Sequence, residues 1–395
     1  MPTLFFMPWT HLKAAGHVGP ISFVQYQRGL LPGALGNTAQ STLDAVIGNY
    51  ADHAFIQHED STIPVEKAVI LRWPGDDECD SLLSDDEINE RLQQTQMLTF
   101  AALSERQFGD HWKYCNTDGL AITAQHFTES NPAGTALTTR RRDGSSLSYM
   151  SGGRGKPIFL RPLHVTDKYA LDVDSNFALA LLTTPDGPLR NRLSDAITLF
   201  NRANTDANEV PPSAEIVFMR AALETLLEAS HTSSDLKAKL LKLMSPHIGP
   251  VEWRDVHISP TTWKERWKDE VRPLSAWVRD FCHWRNEGAH GNSRGEKHPA
   301  PVWSLWNHLL FTSWFMSRIV KILLADEGLY TLTRDDKEEL ENIELFFTFD
   351  ILARDEKELM FWHAALAHLQ DLRLGRELDE IARTEFAAED KEGGD

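Results

Sequence analysis

Thiols, positive charge and long hydrophobic runs are all scarce in this sequence, and each shortage removes a class of protein. Only three of the 395 residues are cysteines (Cys79, Cys115 and Cys282), far apart and without a CxxC pair. A disulfide framework or a zinc ribbon needs more thiols at closer spacing, so neither is expected, and a reducing cytosol fits the count. Basic residues are outnumbered, 40 Lys and Arg against 58 Asp and Glu, for a net charge of −18. Such a chain is repelled at long range by nucleic acid and anionic membranes, which excludes indiscriminate coating of either. The longest apolar stretch, Val302 to Met316, contains Asn307 and His308 and is closed off by Arg318 and Lys321. It is short for a membrane span and reads as a buried helix. The N-terminal MPTLFFMPWTHLK has neither the basic n-region nor the small-residue cleavage site of a signal peptide. The expectation is a cytoplasmic protein with no membrane partner.

What is present points to a globular α+β chain. Hydrophobic residues make up 42% and charged residues 25%, and 395 residues exceed one ordinary core. Short runs such as Ile21–Val24, Ala68–Leu71, Met97–Phe100 and Ala121–Ala124 alternate with turn residues and read as strands. TALTTRRRDGSSLSYM reads as a hairpin with a two-residue Asp143-Gly144 turn. Ser84 and Glu87 form a capping box for one intervening helix. These signals predict a β-rich accessory or sensor domain over residues 1–180, built as a sandwich or barrel.

From Pro188 the pattern turns helical. Helices are expected from Leu189 to Phe200, after a Ser213 cap, and over Asp235–Met244, Leu274–Glu287, Val302–Leu324, Asp335–Asp350 and Glu356–Ala387. Residues 188–395 are therefore expected to form an all-α domain. Charge is uneven too, since Lys237 to Lys297 carries 12 bases against 8 acids within an acidic chain. That marks a place for one anionic ligand, although a solvated helix face produces the same pattern.

The chemistry concentrates in Trp284-Arg285-Asn286-Glu287-Gly288-Ala289-His290-Gly291. Arg285 is a permanent charge whose fork fits phosphate oxygens, and His290 can take or give a proton near neutrality. Five residues on an ideal helix separate two side chains by about 140°. Gly288 and Gly291 are expected to end or distort the helix and let His290 turn back toward Arg285.

RNEGAHG resembles the Arg-Asn-x-x-x-His-Gly signature of HEPN domains. FNRANTD, a Pro-Pro break and MRAALETLLEAS resemble the opening of the Apea-like branch, so that the likeness spans residues 188 to 325. It implies a dimerising helical bundle and, in active members, a metal-independent endoribonuclease serving as a toxin or in anti-phage defence. On that basis RNA is the expected substrate, with an antitoxin or activator protein as a further partner and no cofactor or metal. Arg285 and His290 are the expected catalytic residues, Asn286 supports them, and Glu224 and Glu287 are candidate supporting groups. The alternative is a non-catalytic nucleotide-binding, scaffold or sensor module of the same fold.

Other candidates weigh less. Arg106 and His111 repeat the Arg-x4-His spacing without the surrounding motif. Gly152 to Pro157 lacks P-loop spacing, and Asp52, His53, His58, Glu59 and Asp60 lack a completing metal-ligand cluster. Arg140, Arg141 and Arg142 read as an exposed turn. Eight of the twelve tryptophans fall between Trp253 and Trp314, where a bulky core or a dimer interface is expected ahead of base stacking. The apolar spread of Val302–Met316 supplies the expected two-fold contact.

Overall fold

Apolar side chains on both sides of one strand require two covering layers, and β1 (Thr3–Met7) is buried at all five positions. The computed structural model describes residues 3–13, 15–30, 40–53, 63–76, 83–108, 114–126, 136–140, 143, 146–150, 158–165, 169–249, 266–290 and 302–347, with five helical positions between 374 and 383. For 136–140, 146–150 and 286–290 it describes the backbone. The chain divides into two compact units, Met1–Pro211 and Pro212–Asp395.

The first unit is built on an antiparallel sheet. After β1 come β2 (Thr10–Leu12), β3 (Gly16–Val18), β4 (Ile21–Gln27), α1 (Gln40–Ile47), β5 (Lys67–Arg72), α2 (Asp85–Ser104) and β6 (Thr123–His126). Five strands pair in the order β3-β4-β5-β1-β6. Phe6, Ile70 and Val24 align across the sheet, as do Phe5, Leu71 and Phe23. Leu4, Phe6, Val24, Tyr26 and Ile70 pack on Leu43, Val46 and Ile47 of α1. From the Phe5 side, Phe5 meets Trp73 edge-on at 5.1 Å, and Arg91 of α2 lies over both rings.

The fold class is α+β, but the front unit differs from a sandwich or barrel. Among the described residues it is an open five-stranded sheet with helical cover, plus a parallel pair between β2 and β9 (Tyr169–Leu171) and a separate hairpin. Met97–Phe100, read above as a strand, belongs to α2. The Ser84–Glu87 capping box starts this 20-residue helix. Its second half is then buried on several sides, with Phe100 against Phe177 and Phe200, so its apolar run hides the helical period. The hairpin forms from β7 (Ala136–Arg140) and β8 (Ser146–Met150), but Arg140 pairs with Ser146. A two-residue Asp143-Gly144 turn would pair Arg140 with Leu147, so this register is one residue shorter and places Asp143 at the centre of the connection.

The division of the chain also falls later than residues 180 to 188. α3 (Ser175–Leu182) and α4 (Pro188–Ala203) pack on α2 and so complete the first unit. Asn201 donates to the Gln96 carbonyl at 2.9 Å, which fixes α4 to α2.

The second unit contains α5 (Pro212–Leu226), α6 (Ser233–Met244), α7 (Pro273–His290), α8 (Leu305–Asp326), α9 (Arg334–Glu341) and a 3₁₀ turn over Ile343–Phe347. Pro212 opens α5, so Ser213 lies within the first turn instead of capping it; proline's fixed φ suits that first position. Thr232 caps α6 and Ser304 caps α8. The helix expected over Asp335–Asp350 separates into α9 and the 3₁₀ turn, while Glu356–Ala387 lies outside the described residues apart from those five positions. Trp277 is the hub of the core, stacked on Phe281 and meeting Phe311 and Phe315 edge-on. Among the described helices, α8 alone has the length and hydropathy to cross a membrane, yet 78% of its apolar window is buried in this unit. It is a core helix. Arg318–Glu339 and Lys321–Asp336 ion pairs, at 2.7 and 2.8 Å, tie it to α9.

Candidate active site

α7 presents two different sides. Leu274, Trp277, Val278, Phe281 and Cys282 are buried, whereas Arg279, His283, Trp284 and Arg285 are partly exposed. The helical backbone then continues through Gly288 to His290, contrary to the break expected at the glycine. One interior glycine costs a helix about 1 kcal/mol, a small penalty for a helix held by so much upstream packing. The consequence is geometric. Positions 285 and 290 stay about 140° apart, whereas 286 and 290 are about 40° apart on one stripe and 287 is about 60° from 290. Positions 286 and 287 thus fall on the same side of the helix axis as 290, and position 285 does not.

Arg285 lies instead within electrostatic reach of Cys282, as do Arg220 and Glu224 of α5. Burial pushes the Cys282 thiol up to about 11; Arg220 and Arg285 pull it down and Glu224 pushes it up. Arg220 of α5 is fully buried and spends its guanidinium on three chain segments. It donates to Glu224 Oε1 at 2.7 Å, to the His231 carbonyl at 2.7 Å and to the Cys282 carbonyl at 3.4 Å. Glu224 is therefore brought to the motif's helix, paired with Arg220. Sequence reasoning missed Arg220, although a cation among Ile216, Met219, Leu223 and Leu226, four residues before a glutamate, is a readable signal of a buried pair.

Asp280 was missed as well. Its carboxylate, with no exposed surface, accepts from Trp267 Nε1, the backbone N–H groups of Val302 and Trp303, and His308 Nε2, at 3.1 to 3.2 Å. Trp284 Nε1 also donates to the Trp303 carbonyl at 2.9 Å. Val302 and Trp303, just before α8, therefore lie alongside α7.

The remaining sequence candidates separate by location. Arg106 is buried in the first unit, bonded to Asn204 and to the Cys115 carbonyl; His111 lies outside the described residues. FNRANTD also serves the first unit, with Asp206 accepting from Tyr114 and Asn116, so that part of the motif layout has a local structural use. Gly152–Pro157, Arg141, Arg142, His58, Glu59 and Asp60 lie outside the described residues. Among the described ones, no three His, Cys, Asp or Glu side chains come together as metal ligands. Trp267, Trp277, Trp303 and Trp314 are buried in the second unit, and Trp306 is 63% exposed. Most of the apolar surface expected to join two copies is thus covered within the chain.

No family model, no curated protein and no solved structure matches the chain.

Proposed function

We propose that this protein is a cytoplasmic, metal-independent endoribonuclease of the HEPN type that cuts single-stranded or loop RNA, as a toxin or in anti-phage defence. The observation that carries the reading is Arg285-Asn286-x-x-x-His290-Gly291 at the end of α7, with Arg220 of α5 bonded to the Cys282 carbonyl three residues before Arg285. His290 takes the 2′-hydroxyl proton or protonates the leaving 5′-oxygen, Arg285 stabilises charge on the phosphorane, and Asn286 orients His290 from the preceding turn. Glu224 supports the site indirectly, by holding Arg220 against α7. One His290 cannot act on both sides of one phosphate, and positions 285 and 290 lie about 140° apart on one helix. A second copy supplying the complementary pair resolves both difficulties, so the active form is a homodimer.

The same angle favours a second reading, a nucleotide-binding or scaffold module without cleavage. Activity in excess EDTA decides between them. The proposal expects cleavage to persist and to leave 2′,3′-cyclic phosphate ends, and a 2′-deoxy substitution at the scissile nucleotide to abolish it. Strict dependence on a divalent ion would refute the mechanism, and no cleavage by any preparation would leave the scaffold reading.

A further inference from the structure

Arg220 is fully buried in the second unit, and the groups its guanidinium touches bear on the motif helix. Nε donates to Glu224 Oε1 at 2.7 Å within α5, and Nη2 donates to the His231 carbonyl at 2.7 Å. Those two short bonds fix the plane of the fork. Nη1 then reaches the Cys282 carbonyl of α7 at 3.4 Å. In a helix the carbonyl of residue 282 also receives the N–H of residue 286, so Arg220 acts on the turn that leads into the motif.

The loop that supplies the His231 carbonyl turns at Glu228, whose φ of 51° is the one positive value of a non-glycine residue among the described residues. Helices usually place glycine in that conformation, because a side chain disfavours it. Here it carries the chain back to Arg220.

Other ties on α7 come from a different side. Asp280 accepts from the N–H groups of Val302 and Trp303, and Trp284 Nε1 donates to the Trp303 carbonyl. Positions 280 and 284 are about 40° apart around α7, and position 282 is about 160° from each. The segment before α8 thus holds one stripe of the helix, and Arg220 holds the opposite one. A rod held on two sides does not rock; with one tie loosened it can. From 282 to 290 is about 12 Å along the axis, so a tilt of about 5° displaces the backbone at 290 by about 1 Å. A misplacement of about 1 Å is enough to cost about 10²-fold in rate.

We propose that Arg220 is a positioning residue for the His290 motif: through the Cys282 carbonyl it sets the angle of the end of α7, and at 1% exposure it does so without touching RNA. This rests on the ribonuclease reading, and it names a residue outside the motif on which that chemistry depends.

The test uses the full-length chain, with kcat and KM measured on a short labelled single-stranded RNA and amide hydrogen exchange followed along α7. Arg220→Met combined with Glu224→Met removes both members of the buried pair and strands neither charge, so the fold should hold. The expected result is a kcat about 10²-fold lower with KM within about twofold of the parent. The pH–rate profile should keep its shape, since Arg220 transfers no proton. Amides at 286–290 should exchange at least about tenfold faster, while those at 277–281 stay as in the parent. Arg220→Lys keeps a charge opposite Glu224 but lacks the fork that spans three acceptors. It should show the same changes to a smaller degree, and it decides the matter if the double variant unfolds. Unchanged exchange in a folded variant overturns the positioning role, and with cleavage intact it leaves the ribonuclease reading standing. A parent-like kcat overturns it even where exchange quickens, and a loss carried by KM overturns it by making Arg220 part of RNA binding. Faster exchange with no cleavage by the parent chain refutes the ribonuclease reading and leaves Arg220 as a tie of the helix alone.

Discussion

Replacing Asp280 by alanine is the most informative single change to the second unit. The side chain has no exposed surface, and its two oxygens serve an indole N–H, two backbone N–H groups and the His308 ring. Trp267, Trp303 and His308 are buried, so at least three donors lose their acceptor where water does not reach them. A stranded buried donor costs about 1–3 kcal/mol. Three at the low end give about 3 kcal/mol, and hydrogen bonds to a charged acceptor, worth about 1.5–3 kcal/mol each, raise the figure. We expect Asp280→Ala to destabilise this unit by about 3–5 kcal/mol, a large part of the roughly 5–15 kcal/mol that holds an ordinary domain. Asp280→Asn keeps the shape and one acceptor oxygen and should lose less. The assay is urea unfolding followed by tryptophan fluorescence, which reports mainly on this unit because eight of the twelve tryptophans lie between Trp253 and Trp314. Lys239→Ala is the contrasting control in the same unit: its ion pair with Asp235 is 39% and 33% exposed, and its loss should cost under about 1 kcal/mol. If Asp280→Ala unfolds within about 1 kcal/mol of the parent chain, Asp280 does not organise the approach to α8.

Asp336 is held down to about 2, because hydrogen bonds and charge from Lys321 and hydrogen bonds from Thr333 outweigh its burial. Its stabilising effect is complete above the ordinary carboxylate range and lost as pH falls from about 4 through about 2, an amount of about 2 kcal/mol. Asp336→Asn should therefore lower the urea midpoint at pH 7 and match the parent chain near pH 2; an equal deficit at both pH values contradicts this. Burial pushes the Cys115 and Cys282 thiols up to about 11 each. In a Cys79→Ser chain, a thiol reagent at pH 8 should label neither before unfolding, and rapid labelling of the folded chain would show an open site. The two Arg-x4-His matches should also separate: His290→Ala and Arg285→Ala should cut RNA cleavage by about 10²–10⁴-fold without loss of fold, while His111→Ala leaves it near the parent rate. Equal damage from His111→Ala would show that the motif was wrongly chosen.

Some features were legible in the sequence because their causes lie within a few residues of one another. The Ser84–Glu87 box, the strands at Ile21 and Ala68, and the helical periods from Pro188 onward express preferences of adjacent backbone and side chains. The same local reading located the Arg285–His290 motif and the basic stretch. It failed wherever a partner far along the chain decided the outcome. Met97–Phe100 carries a strand-like apolar run because α3 and α4, some eighty to a hundred residues later, cover the helix that contains it. The bond from Asn201 to Gln96 assigns α4 to the first unit, although its helical period reads as the start of the helical half. The α8 face that reads as unpartnered is filled from α5, α7 and the turn at Ile343–Phe347. Arg220 reaches the Cys282 carbonyl through the packing of α5 on α7, and Lys237 of α6 shares the Glu270 carboxylate with Arg279 of α7. Residue order thus determined caps, periods and the motif, because those interactions span a turn or two. Unit boundaries, covered faces and side-chain clusters required the folded chain, because their energies come from pairs brought together only by tertiary packing.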